Sequence, residues 1–134
     1  LSNVPAGNVS VAASIGGYQI MNKPATVTAG ATGTLNFALL PNCTINTADP
    51  SVTICLPSAN STVLNPVHVI AKATDSHPVN NLQVWVDYVK RYQLSGGSLN
   101  ANISMSTGVT HRVTIQATDN INQVVKQTLY VTVH

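Results

Sequence analysis

The stretch PVHVIAKATD, residues 66–75, is the clearest indicator of fold class, because apolar side chains return at every second position. Alternation with a period of two is the pattern of a half-buried β-strand. The stretch HRVTIQATD, residues 111–119, alternates in the same way. Both contain the frame V-x-x-x-A-T-D, so each predicts a strand that runs into a turn opened by an aspartate. The residues of the first stretch that share one face are Val67, Val69, Ala71 and Ala73.

The same alternation continues over residues 51–134, and no window shows a sustained helical repeat. Seven short strands separated by turns in one segment of this length are typical of an Ig-like antiparallel β-sandwich. The fold class predicted for the chain is therefore all-β. Trp85 falls on the face opposite to its apolar neighbours Val84 and Val86. The predicted strands are 51–57, 66–75, 81–88, 90–94, 98–105, 111–119 and 123–134.

The first forty residues predict a smaller set of three strands, at 8–15, 18–29 and 33–40, which we interpret as an N-terminal three-stranded half-sandwich. Three strands with one apolar face are close to the lower limit for independent stability. Their open edges and their apolar face need a covering element. The side chains expected to form this assembly interface are Val11, Leu35, Phe37 and Leu39.

The composition excludes several classes of function. Only 7% of the residues are charged, against roughly a quarter in typical domains, and the net charge is +2. The six basic residues are scattered, so no basic stripe indicates nucleic-acid binding. No apolar run approaches the length of a membrane span, so no membrane insertion is expected. The 11 Ser, 15 Thr and 14 Asn give a neutral surface that is common on secreted and cell-surface proteins.

Cys43 and Cys55 are the two cysteines of the chain. Two thiols without nearby histidines cannot form a zinc site. They are either a disulfide in an oxidising compartment or two buried free thiols. We expect the disulfide, which would close a linker and first strand at 43–55 and contribute about 3 kcal/mol in the chain-entropy model. It would either stiffen the junction between the two parts of the chain or only close a loop.

No catalytic, cofactor or metal site is predicted. Asp75 and Asp119 end strands, but a calcium site needs six to eight oxygens and the chain has four acidic residues, so we expect turn capping. Without a carboxyl pair or a nucleophile motif, an enzyme is not expected. The four histidines lack ligand spacing and are predicted to be ordinary surface residues: His68, His77, His111 and His134.

Three aromatic residues cluster on one strand and after it: Trp85, Tyr88 and Tyr92. Such side chains can stack on sugars, or they can cover the other sheet or an intersubunit contact. Packing in a core or an interface is the interpretation we favour, and glycan contact is the alternative.

Residues 51–134 resemble bacterial Ig-like domains of surface and secreted proteins. The stretches that carry the resemblance are VTICLPSANSTV, PVHVIAKATD, LQVWVDYVKRYQ, MSTGVTHRVTIQATD and LYVTV. In that family the turn after the third strand is often Asp-Gly. Here Tyr88 stands where glycine is usual, which suggests another turn type. The resemblance implies a non-catalytic module of an extracellular protein.

Residues 1–40 resemble the C-terminal half of a carboxypeptidase regulatory-like domain, a small β-sandwich. The matching stretches are NVPAGNVSVAAS, GGYQ and TVTAGATGTLNFAL. The domain organisation expected is thus a partial β half-domain at 1–42, the disulfide-closed linker and first strand, and an Ig-like sandwich at 51–134. This family also consists of extracellular building blocks rather than enzymes.

Half of a sandwich exposes apolar side chains that must be buried somewhere. The chain could be an excised fragment, its first part could pack back onto the Ig-like segment, or a neighbouring chain could supply the missing strands. We expect the third case, in a processed extracellular subunit that polymerises with itself head to tail into a surface fibre. The alternative is an adhesion or carbohydrate-binding module of a larger secreted or cell-surface protein, with glycans as its partner.

Overall fold

The structure is a computed structural model that describes residues 4–15, 18–39 and 41–134. By its internal contacts the chain divides into two compact units, Leu1–Asn42 and Cys43–His134. The described residues form β-strands, turns and irregular segments, which confirms the predicted all-β class. Among them no helix has the length and hydropathy of a membrane span.

The first unit contains a two-stranded antiparallel sheet. Strand β1 (Gly7–Ala13) pairs with β2 (Met21–Val27), so that Val9 lies opposite Ala25 and Val11 opposite Lys23. Every second side chain of each strand is half-buried and those between are exposed. The half-buried positions include Val11, which was expected on the apolar face, and Lys23 opposite it.

The third strand predicted for 33–40 is wrong in its described part, because residues 31–39 form no strand. Leu35, Phe37 and Leu39 are nevertheless half-buried, and the residues between them are exposed. The Lys23 ammonium donates to the carbonyl oxygen of Asn36 at 2.7 Å and lies 5.6 Å from the centre of the Phe37 ring. The Lys23 side chain thus connects β2 to this segment, which is not part of the sheet in the described residues.

The second unit is a sandwich of two sheets. The larger sheet has the order β4–β10–β9–β6–β7 and the smaller one the order β3–β5–β8. All neighbours are antiparallel except β4 and β10, which are parallel. The bounds are β3 (Ser51–Leu56), β4 (Ser61–Val63), β5 (Val67–Thr74), β6 (Val79–Val86), β7 (Val89–Ser95), β8 (Ser98–Ile103), β9 (Val109–Asp119) and β10 (Val124–Val133).

The core of the second unit lies between its two sheets. Side chains such as Val69, Leu82 and Ile115 have no exposed surface. Each fully buried aliphatic side chain of this size is worth roughly 1.5–3 kcal/mol relative to exposure. The faces predicted to point inward are the ones that are buried, and they supply the cluster Val52, Val67, Val69, Ala71, Ala73, Leu82, Val84, Val86, Leu99, Ile103, Met105, Val113, Ile115, Ala117, Leu129, Val131 and Val133.

The predicted disulfide between Cys43 and Cys55 is present, with the two Cα atoms 5.2 Å apart. Both cysteines belong to the second unit. The bond therefore fastens the segment before β3 to the end of that strand, within the sandwich.

Two pairs of threonine hydroxyls cross between β9 and β10 in the larger sheet. Thr114 and Thr128 are 2.7 Å apart at their Oγ1 atoms, and Thr110 and Thr132 are 2.9 Å apart. Cross-strand threonine pairs of this kind stabilise a sheet through side-chain hydrogen bonds. These neutral contacts thus join β9 and β10 on the outer face of the sheet.

Candidate functional site

The outer face of the five-stranded sheet carries an open depression of about 340 Å³. Trp85 projects into it from β6, opposite Thr114 of β9 and Lys90 of β7. Because successive strand residues point to opposite faces, the outward positions of three strands meet here. We call this surface the Trp85 face and define it by its lining residues: Trp85, Tyr88, Arg112, Thr114, Gln116 and Lys126.

The Trp85 ring is held by glutamine side chains on the same face. Its Nε1 donates a hydrogen bond to Oε1 of Gln83 at 3.0 Å, and Gln116 Nε2 donates to the same oxygen at 3.4 Å. Gln83 in turn donates through Nε2 to Oε1 of Gln93 at 3.1 Å. This chain of amides fixes the indole edge, as a partly buried tryptophan N–H requires.

Tyr88 is displayed at the tip of the β6–β7 hairpin. Asp87 and Tyr88 have φ values of 49° and 68°, so both central residues of the turn are left-handed. That is the signature of a type I′ hairpin turn, so the other turn type suggested by Tyr88 at this position is wrong. A left-handed conformation costs a residue with a Cβ roughly 1–2 kcal/mol. The side chain is 76% exposed, and the Arg112 guanidinium lies 4.6 Å from its ring centre.

Asp87 anchors this strained turn to β9. One carboxylate oxygen accepts a hydrogen bond from the Arg112 backbone N–H at 2.9 Å, and the other lies 2.6 Å from Nδ1 of His111. The carbonyl oxygen of Ser106 lies 2.8 Å from Nε2 of the same imidazole. The turn that presents Tyr88 is therefore tied to β9 by both carboxylate oxygens of Asp87, and the Ser106 contact fixes the His111 ring.

The Asp87–His111 pair shifts both ionisation equilibria. Burial opposes the charged imidazole, but its contacts with Asp87 and Ser106 and the nearby carboxylate charge outweigh burial and raise the pKa of His111. Burial also disfavours the Asp87 carboxylate, yet the hydrogen bonds from His111 and the Arg112 N–H and the neighbouring positive charges lower the pKa of Asp87. The charged pair is the form that this geometry favours.

The structure places the predicted site residues differently from the sequence. His111 is buried rather than a surface residue, because it occupies an inward position of β9 and is satisfied by Asp87. Tyr92 lies opposite Val84, on the other face of the sheet from Trp85, so the three predicted aromatics do not form one group. Trp85 and Tyr88 do come together.

Sequence reasoning did not find the basic and amide residues beside Trp85. Arg112, Gln116 and Lys126 occupy alternate outward positions of β9 and β10, and the period-two pattern contained that signal. None of the residues that line the depression is a carboxylate or a histidine. Its chemistry is aromatic stacking and hydrogen-bond donation.

The comparisons with known proteins bear on the second unit. The family model described as Bacterial Ig domain matches residues 50–115. Together with the two-sheet architecture, this match confirms the Ig-like sandwich predicted for that segment. The resemblance of residues 1–40 to a carboxypeptidase regulatory-like domain stays a prediction.

Two solved structures share this fold. An engineered protein superimposes with a TM-score of 0.51 at 22% identity over 66% of this chain, which spans 21% of that protein's length. The fibronectin(III)-like modules of Clostridium thermocellum CbhA superimpose with a TM-score of 0.50 at 14% identity, over 61% of this chain and 94% of theirs. No curated protein matches the chain. At these identities the likeness establishes an Ig-like, fibronectin III-like fold.

Proposed function

We propose that the chain is a non-catalytic extracellular structural subunit that polymerises with itself head to tail. In this proposal a neighbouring copy supplies strands that complete the first unit. The observation that carries the proposal is that no described residue of Leu1–Asn42 is buried, although the unit presents an ordered apolar face.

The apolar face of the first unit is only partly covered by its own chain. Val11, Leu35, Phe37 and Leu39 all keep part of their surface exposed. Complete burial of such a side chain from full exposure gains roughly 1.5–3 kcal/mol. These four are already covered over most of their surface, so a smaller part of that gain is still available. A complementary surface that excludes water from the exposed remainder of all four side chains would therefore be favoured.

The backbone of the first unit also offers unpaired edges. Its sheet has two strands, so β1 and β2 each have one partner and one open side in the described residues. An isolated two-stranded ribbon is marginally stable in water, whereas an added strand supplies both hydrogen bonds and a hydrophobic cover. A head-to-tail contact of this kind does not close on itself, so repetition makes a fibre.

The disulfide and the composition support an extracellular setting. Cys43 and Cys55 are bonded, and such bonds persist in oxidising environments. A neutral surface rich in Ser, Thr and Asn is compatible with a secreted structural protein.

The test is the size of the native chain, measured by light scattering after gel filtration and by negative-stain electron microscopy. We expect filaments. Phe37→Asp places a charge on the apolar face and should dissolve them into single chains. The matched control is Asn36→Asp, which adds the same charge at an exposed neighbouring position and should leave the filaments intact.

A single chain in solution whose residues 4–39 are protected from hydrogen exchange would refute the polymer. In that case the first unit is covered within one molecule. Equal behaviour of Phe37→Asp and Asn36→Asp would also refute it, because the apolar face would then not be the contact.

A second candidate function, glycan binding, is favoured by one observation at the Trp85 face. Tyr88 adopts a strained left-handed conformation at an exposed turn beside Trp85. Strain of this kind is retained where the displayed side chain is used. Two aromatic rings flanked by Arg112 and Gln116 could stack on a sugar and donate hydrogen bonds to its hydroxyls.

A glycan array tests this second function. Binding should be lost in Trp85→Ala and in Tyr88→Gly. Glycine suits the left-handed turn, so Tyr88→Gly removes the ring while keeping the hairpin. Tyr92→Ala is the control, because that ring lies on the opposite face. An array without binding, or binding that survives in Trp85→Ala, would exclude the Trp85 face as a sugar site.

A further inference from the structure

A cluster of ionisable groups lies at one end of the sandwich, away from the Trp85 face. Asp75 follows β5, His77 lies in the turn before β6, and Asp119 is the last residue of β9. Strand β5 belongs to the smaller sheet and β9 to the larger. The two V-x-x-x-A-T-D frames of the sequence thus bring their aspartates together from opposite sheets.

Asp119 is 1% exposed, and its two carboxylate oxygens have different surroundings. Oδ1 accepts hydrogen bonds from the backbone N–H groups of Ile121 at 3.0 Å and Gln123 at 2.7 Å, which is the turn capping that the sequence predicted. Oδ2 is buried and accepts no hydrogen bond from the described residues. An anionic oxygen in this position is costly unless a positive group binds it.

Oδ2 of Asp119 points into the cluster. It lies 3.8 Å from Nδ1 of His77, and the same nitrogen lies 3.6 Å from Oδ1 of Asp75. The three ligand atoms lie within 4.8 Å of one another. The side chain of Asp75 is 5% exposed, and no lysine or arginine of the described residues forms an ion pair with either carboxylate. Two buried carboxylates therefore share one exposed imidazole as their neighbour.

We propose that Asp75, His77 and Asp119 form a binding site for a divalent transition-metal cation, with Zn²⁺ as the best match. In a tetrahedral zinc site with bonds of about 2.0–2.2 Å, neighbouring ligand atoms are about 3.4 Å apart. The two separations from the imidazole nitrogen need to shorten by only a few tenths of an ångström, and all three ligand atoms already lie within 4.8 Å of one another. An imidazole ligand suits zinc, whereas calcium and magnesium prefer oxygen ligands throughout.

The place of the site in the fold gives the ion a structural role. The ligands come from both sheets, so a bound cation joins them at the end of the sandwich where β5 and β9 finish. The His77 side chain is 46% exposed and provides the route of entry. Since an ion bound only by the folded chain stabilises it, binding should raise the unfolding temperature.

Isothermal titration calorimetry of the metal-free chain with ZnCl₂ tests the site. We expect one Zn²⁺ per chain, a higher unfolding temperature with zinc, and a shift of the His77 ring signals in NMR. His77→Ala removes a direct ligand. The affinity of this variant for Zn²⁺ should fall by more than roughly 10–100-fold, which is the loss caused by removing a residue that only hydrogen-bonds to a metal ligand. His134→Ala is the matched control, because it removes an exposed histidine outside the cluster and should bind as the native chain does.

Asp75→Asn provides a second variant that keeps the side-chain shape and removes one ligand charge; it should also weaken binding. The proposal is overturned if native chain and His77→Ala bind Zn²⁺ equally, if neither binds it, or if His134→Ala loses binding instead. Calcium binding that persists in His77→Ala would likewise overturn the imidazole-containing site assigned here.

Discussion

The two units of the chain follow the same sequence pattern and reach different degrees of burial. In both, apolar side chains alternate with polar ones along each strand. In Cys43–His134 two sheets bury their apolar faces against each other, and residues such as Leu82 have no exposed surface. In Leu1–Asn42 a two-stranded sheet has an irregular segment beside it, and no described residue is buried. The alternation in the sequence thus determines which face of a sheet is apolar, and packing against a second sheet determines whether that face is fully buried.

The largest effect expected from this comparison concerns a pair of leucines. Leu82→Ala should destabilise the second unit by about 2–5 kcal/mol, because it opens a cavity in a packed core. Leu35→Ala shortens a half-buried side chain of the first unit and should leave the free energy of unfolding of the second unit unchanged. Trp85 is the single tryptophan, so its fluorescence during denaturation reports the second unit alone. Equal shifts for the two variants would show that the units unfold as one.

The disulfide gives an effect of intermediate size. Replacing both Cys43 and Cys55 by serine should cost about 3 kcal/mol, since the bond closes a loop across a sequence separation of 12. Because both cysteines belong to the second unit, the loss should again be seen by Trp85 fluorescence. Filaments should persist while the second unit stays folded. A variant that loses filaments but keeps its Trp85 transition would show that the bond serves the first unit instead.

The smallest effect is a dependence on pH confined to the second unit. The pKa of His111 is raised above its ordinary value of 6.5, so the protonated imidazole stabilises the fold fully below pH 6.5. This stabilisation is lost as the pH rises through the higher pKa of the folded state. The lowered pKa of Asp87 stabilises it above 3.8 and loses this effect in more acidic solution. The stability difference between the native chain and His111→Asn should therefore be largest between these two pH values.

Denaturation curves of both proteins from pH 3 to about 8 measure that difference. Residues 1–42 contain no aspartate, glutamate or histidine, so the contacts of the first unit should not change over this range. A difference that keeps growing above pH 7 would contradict the assigned sign.

Much of the fold could be predicted from the sequence, because each long strand carries its own period-two signal. Strand β4 was missed: it has three residues, and its partner β10 is distant in sequence and parallel. The strand predicted at 33–40 is wrong in its described part, although its alternation is clear in the sequence. Alternation showed that Leu35 and Phe37 would share a face, but alternation alone does not show whether the backbone of a segment finds a strand to pair with.

Less of the candidate sites could be predicted, because they depend on contacts between strands. The aromatic pair Trp85 and Tyr88 was identified, while Arg112 came to it from a different strand. The burial of His111 follows from its inward position on β9 together with Asp87, which is 24 residues away. The convergence of Asp75 and Asp119 needed the pairing of the sheets, although the repeated A-T-D ending was visible in the sequence.

The threonine pairs between β9 and β10 have a consequence for the surroundings in which the molecule can persist. Thr110–Thr132 and Thr114–Thr128 are bonds between uncharged hydroxyls. Dissolved ions screen attractions between charges, and these bonds offer them nothing to screen. High salt should therefore weaken these hydroxyl pairs less than the charged Asp87–His111 contact in the same sheet, so the β9–β10 pairing should be the part of the sheet that is least sensitive to ionic strength.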